Sequence, residues 1–202
     1  MNKLINTQVP PYVLREVKPG SFIYEIQNSL TNDICQEMIA RFEANQEQQY
    51  PGRVGQGAVE ETSIKKSTDL VVSGKENWKD IDQILFHSAA LAVRAMREKF
   101  PYFNGPFKDV GYNVQRTEPG QHYHWHIDGG SHEFSQRQLV VIWYLNDVAG
   151  PGGETEFSYQ NLKIKPEQGK MLLFPPFWTH EHRGVTLEKG IKYLATTWIV
   201  FA

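Results

Sequence analysis

The chain has 202 residues, which fits one compact domain and leaves little room for a second full-sized one. Hydrophobic residues make up 40% and charged residues 22%, so the composition is that of a globular protein and excludes a disordered chain. Lys and Arg number 21 against 23 Asp and Glu, a balance that argues against nucleic-acid binding, and no apolar run approaches the ~20 residues of a membrane span.

The amino-terminal residues and the cysteine count bear on the compartment. Residues 1–10 contain one Lys and no apolar run of signal-peptide length. Cys35 is the single cysteine, so an intrachain disulfide is impossible. Both features predict a cytoplasmic protein.

A short strand and then a helix are predicted first. Residues 22–27 alternate apolar and polar side chains, as in a half-buried strand. Thr31 or Asn32 can cap the following helix, since each places a side-chain oxygen where the first free backbone N–H groups lie. The apolar positions of this helix recur at helical spacing, at Ile34, Cys35, Met38, Ile39 and Phe42.

The next stretch lacks a sustained period. Residues 43–61 are rich in Gln, Gly and Glu and are predicted to form a long exposed loop. Residues 67–72 have strand character. Asn77 and Asp80 resemble a capping box at the start of a second helix, which Pro101 ends.

From residue 110 onward the pattern changes to short strands separated by Gly and Pro turns. Strands at this spacing predict an antiparallel jelly roll, with the earlier helices packed on one side, in the α+β class. The predicted strands are residues 110–116, 122–127, 138–145, 170–174 and 193–201.

Histidines cluster in this second half. Four lie between residues 122 and 132, and two more are His180 and His182. His126 and Asp128 stand two apart, which places both side chains on one face of a strand. With His180 or His182 as a third ligand, two imidazoles and a carboxylate would leave adjacent metal positions open, as in non-haem Fe(II) oxygenases.

Alternation alone does not select the ligands. In a regular strand His122, His124, His126 and Asp128 all share one face, and His180 and His182 share another. His126 is favoured upstream because a carboxylate follows it two residues later. Downstream the two histidines remain equivalent on this argument.

The ordered motifs resemble the Fe(II)- and 2-oxoglutarate-dependent dioxygenases, and within them the prolyl 4-hydroxylase-like branch of bacterial or phage type. The resemblance covers roughly residues 109–201. It is carried by Pro119-Gly120-Gln121-His122-Tyr123, His126-Ile127-Asp128, Tyr144-Leu145-Asn146, Gly152-Gly153-Glu154-Thr155 and Leu173-Phe174-Pro175.

The resemblance to this family also implies which residues form the site. In the family, the second metal-binding histidine in the chain stands eight residues before a glycine and ten before a basic residue. His182, Gly190 and Lys192 match this spacing. The resemblance therefore implies His126, Asp128 and His182 as metal ligands. It assigns the far carboxylate of 2-oxoglutarate to Lys192, with help from Tyr144 and Thr155. His180 then becomes a neighbour that orients a ligand through its ring or faces the substrate.

The resemblance also implies cofactors, substrate and organisation. Fe(II) and 2-oxoglutarate are expected, with ascorbate as a candidate addition, and the reaction is hydroxylation of a C–H bond with release of succinate and CO2. The substrate is expected to be a prolyl or other amino-acid residue, peptidyl or free. Residues 1–202 form one domain, with helical support and a lid around residues 50–61 in 1–108, and the metal-bearing jelly roll in 109–202.

Two departures from the family leave the substrate open. Thr186 and Leu187 stand where a proline and an apolar residue are usual, and Thr117 replaces a common tyrosine. A second function is a non-enzymatic jelly-roll module that binds a metal or a carbohydrate. The complete triad together with Lys192 favours the enzyme, because a binding module has no need of open metal positions.

Overall fold

The computed structural model describes residues 12–55 and 58–202. Residues 1–10, for which no signal peptide was predicted, lie outside the described residues, as do residues 56 and 57 of the predicted loop. The described ranges form two antiparallel sheets and two α-helices, α1 (Asn32–Ala44) and α2 (Lys79–Lys99). The strands are β1 (Arg15–Glu16), β2 (Tyr24–Ile26), β3 (Tyr50–Pro51), β4 (Lys65–Lys66), β5 (Thr68–Val71), β6 (Phe107–Asp109), β7 (Asn113–Thr117), β8 (His122–His126), β9 (Arg137–Tyr144), β10 (Thr155–Phe157), β11 (Leu162–Ile164), β12 (Met171–Phe174), β13 (His182–Gly184) and β14 (Lys192–Phe201).

The larger sheet runs in the order β1-β2-β12-β9-β14-β7-β5-β3, with β6 paired to the end of β14. The smaller sheet runs β11-β10-β13-β8-β4. The two sheets pack face to face, and the helices cover the outer face of the larger one. This arrangement confirms the predicted α+β jelly roll, or double-stranded β-helix, with helices on one side.

Strand β9 shows why the larger sheet is buried on both faces. Leu139, Val141 and Trp143 point toward the helices, whereas Val140 and Ile142 point into the space between the sheets. A strand covered on both faces loses the polar alternation of a half-exposed one, which explains its continuous apolar run.

The first helix follows its sequence signals. Thr31 is the N-cap, and its hydroxyl accepts a hydrogen bond from the backbone N–H of Ile34. Cys35, Met38 and Phe42 are fully buried against the sheet.

The capping box predicted for the second helix is wrong. A short 3-10 turn, Glu76–Trp78, runs directly into α2, whose N-cap is Trp78 without a side-chain hydrogen bond. Asp80 instead accepts hydrogen bonds from Arg41 of α1.

The prediction of a long exposed loop over residues 43–61 is also wrong. Glu43 and Ala44 complete α1, a 3-10 turn spans Gln46–Gln48, and Tyr50–Pro51 pairs with β5. Backbone bonds between Val54 and Val59 close the remaining turn. The sequence did not reveal this regular structure because it depends on pairing with distant strands. A strand of two residues is also too short to show an alternating pattern.

The strand predicted over residues 110–116 starts later than expected, since β7 begins at Asn113 and ends at Thr117. Gly111 adopts a φ of +85°, which interrupts the extended chain between β6, which ends at Asp109, and β7. In the described part of the chain no helix is both long and apolar enough to cross a membrane.

Candidate active site

The three predicted metal ligands meet at one end of the smaller sheet. His126 ends β8, and His182, the first residue of β13, is its direct partner across the strand pair. Asp128 follows two residues after β8 ends. One ligand atom from each of the three lies within 4.8 Å of the others, so they can converge on one ion.

An irregularity in β8 decides which of its side chains face this site. Tyr123 pairs with Gly184 and His126 with His182, so three steps along β8 match two along β13. The extra residue is a β-bulge, which shifts the side-chain alternation. As a result Tyr123 and His126 share a face while His124 is exposed. The regular alternation that left His124 and His126 equivalent does not hold here.

Each histidine ligand is oriented by the same backbone contact. Nδ1 of His126 lies 2.7 Å from the carbonyl oxygen of His124, and Nδ1 of His182 lies 2.9 Å from that of His180. A carbonyl only accepts, so both Nδ1 atoms donate their hydrogen. Each Nε2 then presents its lone pair toward the centre, as a metal ligand must.

The electrostatics keep two of the ligands in metal-binding form. Burial lowers the pKa of His126 to about 3, and the nearby His182 adds to this effect, so the His126 ring is neutral at neutral pH. For Asp128, burial would raise the pKa, but the close contact with His182, the nearby His126 and Arg137 lower it to about 2. Its carboxylate Oδ2 lies 3.3 Å from Nε2 of His182.

Lys192 lies in the cavity beside the three ligands. Its side chain is buried, and its Nζ donates to the carbonyl of Gly153 at 3.0 Å. Within the described residues no carboxylate oxygen lies within 4.0 Å of this ammonium, and burial lowers its pKa to about 8. A buried cation whose charge is offset only by the more distant Glu154 is costly, so the cavity suits an anionic ligand.

Tyr144 and Thr155 form a pair next to this cavity. The two hydroxyls lie 2.7 Å apart, and burial raises the pKa of Tyr144. Thr155 lines the cavity, whereas Tyr144 lies behind it. Of the two residues, only Thr155 is placed to contact a molecule in the cavity directly.

The cavity measures about 110 Å³ and lies between the sheets. Lys192, Leu194, Thr196 and Trp198 all line it, because alternate residues of β14 point to the same side. Gln115 and Thr117 of β7 add polar groups to the wall. Thr196 and Gln115 were missed, although alternation from Lys192 and Thr117 could have identified both.

His180 is buried but contacts no ligand through its ring. Its ring nitrogens lie 2.9 Å from the Thr179 hydroxyl and 3.0 Å from the carbonyl of Ser21. The prediction that its ring orients a ligand is therefore wrong, because the backbone carbonyl of His180 makes that contact. The ring instead ties the start of β13 to the turn before β2.

The segment that carries these residues matches a known family. The model described as "2OG-Fe(II) oxygenase superfamily" matches residues 112–200. This segment is similar to that superfamily, whose description names 2-oxoglutarate and Fe(II). The match includes all three candidate ligands and Lys192.

Relatives of this chain include prolyl hydroxylases. Over 115 residues the chain is 32% identical to the putative prolyl 4-hydroxylase of Acanthamoeba polyphaga mimivirus, covering 48% of this chain and 47% of that protein. It is 26% identical to the transmembrane prolyl 4-hydroxylase of Mus musculus, covering 66% of this chain and 38% of that protein. The chain thus spans less than half the length of these curated relatives.

A solved structure shares the fold. The prolyl hydroxylase of Trichoplax adhaerens, in complex with a peptide fragment of the hypoxia inducible factor oxygen degradation domain, superposes with a TM-score of 0.74 at 18% identity. The alignment covers 90% of this chain and 84% of that one. The jelly roll and its supporting helices therefore share the fold of that prolyl hydroxylase.

Proposed function

We propose that this chain is an Fe(II)- and 2-oxoglutarate-dependent dioxygenase that hydroxylates a C–H bond of a prolyl or other amino-acid residue, with release of succinate and CO2. The observation that carries the proposal is the placement of Lys192. A buried ammonium without a carboxylate partner in the described residues shares one cavity with a two-histidine, one-carboxylate set. A dicarboxylic acid that reaches from the metal to Lys192 satisfies both.

The donor set fits Fe(II). Two neutral imidazoles and one carboxylate on one side of an ion leave neighbouring positions for a bidentate oxo-acid and dioxygen. Bound iron would supply the activation of dioxygen, coupled to decarboxylation of 2-oxoglutarate. His126, Asp128 and His182 would hold the metal.

The remaining residues bind, orient and exclude water. Lys192 would neutralise the far carboxylate of 2-oxoglutarate, and the Thr155 hydroxyl would donate to it, held in place by Tyr144. Val140, Ile142 and Leu194 form apolar walls that keep water away from the bound acid. Ascorbate binding stays a prediction.

The non-enzymatic binding module is not favoured. A structural metal site is closed by protein ligands, whereas this one offers three. A neutral carbohydrate has no negative charge to satisfy the buried Lys192.

We infer a peptidyl substrate from the cavity mouth and from the relatives. Arg53, His122 and Arg183 also line the cavity, and none of them is fully buried, so we assign them to its rim. This rim offers several donors to backbone carbonyls. The prolyl hydroxylases among the relatives make proline the first residue to test.

Organisation and location also remain proposals. We propose that residues 1–202 act as one oxygenase domain, in which the first 108 residues complete both sheets through strands such as β4 and β5. The predicted lid, residues 50–61, contributes Arg53 to the cavity. Its role as a lid is tested by whether 2-oxoglutarate and substrate together protect it from proteolysis.

The free, buried Cys35 agrees with a reducing compartment such as the cytoplasm.

Turnover tests the proposed function. The protein is supplied with Fe(II), 2-oxoglutarate, ascorbate and air, and succinate is measured against a panel of proline-containing peptides and free amino acids. We expect peptide-stimulated succinate and a product heavier by one oxygen atom. Lys192→Ala should lose this activity, whereas Lys189→Ala, at an exposed neighbouring lysine, should keep it. Succinate at the level of His182→Ala, with every member of the panel, would contradict the proposal.

A further inference from the structure

Asp128 lies beyond the end of strand β8, so hydrogen bonds of the sheet do not fix the position of its backbone. Strand β8 ends at His126. The backbone N–H of Asp128 donates to the carbonyl of Pro176 at 3.1 Å. Its own carbonyl accepts from Nη1 of Arg137 at 2.7 Å. Two contacts outside the ladder therefore set the backbone from which the ligand carboxylate projects.

The Arg137 guanidinium is held between two aromatic rings. Its Cζ lies 3.8 Å from the ring centroid of Phe134 and 3.9 Å from that of Trp198. A planar delocalised cation can stack on both faces in this way, and a lysine ammonium cannot. The stack fixes the direction in which Nη1 points toward Asp128.

Trp198 extends this contact to the cavity. Its indole lines the cavity that contains Lys192 and the three ligands, and its Nε1 is buried without a hydrogen-bond partner in the described residues. With no hydrogen bond of its own, the indole is oriented by packing. Arg137 covers one face of it.

We propose that Arg137 is a positioning residue, which fixes the metal ligand Asp128 through its backbone carbonyl and fixes the cavity wall through the indole of Trp198. The proposal rests on the proposed function, because it takes Asp128 as a metal ligand. Arg137 makes no ion pair within 4.0 Å among the described residues, although it is half-buried. An apolar residue would fill this space at lower desolvation cost, so packing alone does not explain a cation here.

Three variants separate the two contacts. Arg137→Met keeps the length of the side chain and removes both the donor and the planar cation. Arg137→Lys keeps a donor for the Asp128 carbonyl and removes the stacking. Arg94→Met, at a mostly exposed arginine of α2, is the matched control.

The readouts are the affinity for Co(II), the visible spectrum of bound Co(II), and the affinity of the Mn(II)-loaded protein for 2-oxoglutarate. For Arg137→Met we expect Co(II) affinity to fall about tenfold or more, as for other residues that orient metal ligands, with an altered spectrum. Arg137→Lys should restore Co(II) affinity to within about threefold of the original protein but bind 2-oxoglutarate more weakly. Arg94→Met should change none of these values.

Two results would overturn the proposal. One is folded Arg137→Met with unchanged Co(II) affinity and spectrum, and the other is Arg137→Lys no better than Arg137→Met at binding Co(II). If Arg137→Met does not fold, the test compares Arg137→Lys with Trp198→Leu. Both variants should bind 2-oxoglutarate more weakly than the original protein and should keep its affinity for Co(II). Co(II) binding needs no turnover, so absence of succinate would refute the proposed function without deciding this inference.

Discussion

The ring of Tyr123 stacks on the ring of His126, with centroids 3.6 Å apart and planes 13° from parallel. The contact exists because the bulge in β8 turns both side chains to one face. Tyr123 also meets Lys65 of β4, whose Nζ lies 5.4 Å from the ring centroid. Through Tyr123, the amino-terminal half of the chain thus supports the candidate metal ligand His126.

The first prediction tests this stack. Tyr123→Leu keeps an apolar side chain but removes the flat surface that limits rotation of His126. Metal affinity should fall by a few fold, about 1 kcal/mol, as measured by Co(II) titration. Tyr159→Leu, at an exposed tyrosine, is the control. Equal affinities for the two variants would show that the stack does not restrain the ligand.

The second prediction concerns the charge of Lys192. Because burial lowers its pKa to about 8, the ammonium is present below that pH and is lost as the pH rises through it. Affinity for 2-oxoglutarate should therefore decline above pH 8 in the Mn(II)-loaded protein. Lys192→Ala should bind it about tenfold or more weakly, with this pH dependence flattened and metal affinity retained. Equal loss of metal and 2-oxoglutarate would identify Lys192 as structural.

The third prediction separates His180 from His182. His182→Ala should abolish metal binding, since it removes one of three ligands. His180→Ala should keep the metal and lower the free energy of unfolding by about 1–3 kcal/mol, because the Ser21 carbonyl loses its donor. Metal titration and urea denaturation of the two variants check this. Loss of metal from folded His180→Ala would reverse the assignment.

The fourth prediction concerns the buried ion pair beside the cavity. Nζ of Lys65 lies 2.6 Å from Oδ2 of Asp69, and both side chains are almost fully buried. Lys65→Met leaves Asp69 uncompensated and should cost about 3–5 kcal/mol in urea denaturation. The double variant Lys65→Met/Asp69→Leu should recover much of this loss.

An exposed pair is the control for that experiment. Arg94 and Glu98 lie on α2, with both side chains mostly in solvent. Glu98→Gln should change stability by less than about 0.5 kcal/mol. A double variant at Lys65 and Asp69 no more stable than Lys65→Met would argue that the pair contributes more than charge balance.

The sequence was sufficient where one side chain follows another at a fixed period. The apolar spacing of α1 identified its buried face, and β9 and β14 were placed to within one residue. The family resemblance, through the spacing from His182 to Lys192, implied that both residues serve one site, and both line one cavity. In each case the information lies within a short stretch of chain.

Features that depend on distant partners could not be predicted. The bulge in β8 is defined only by its register with β13, and the three-residue strands β10, β11 and β13 are too short to show a period. Arg137 has an ordinary sequence context, and its role appears only when Phe134, Trp198 and Asp128 surround it. Strands β3 and β4 likewise take their order from pairing.

The most direct measurement of the central claim is an anaerobic titration with Fe(II) and 2-oxoglutarate, followed by visible absorption. If the three ligands leave adjacent metal positions and Lys192 receives the far carboxylate, both additions together should produce a charge-transfer band that neither produces alone. The same titration of His182→Ala should stay colourless. Absence of the band from the unaltered protein at saturating concentrations of both would contradict the account.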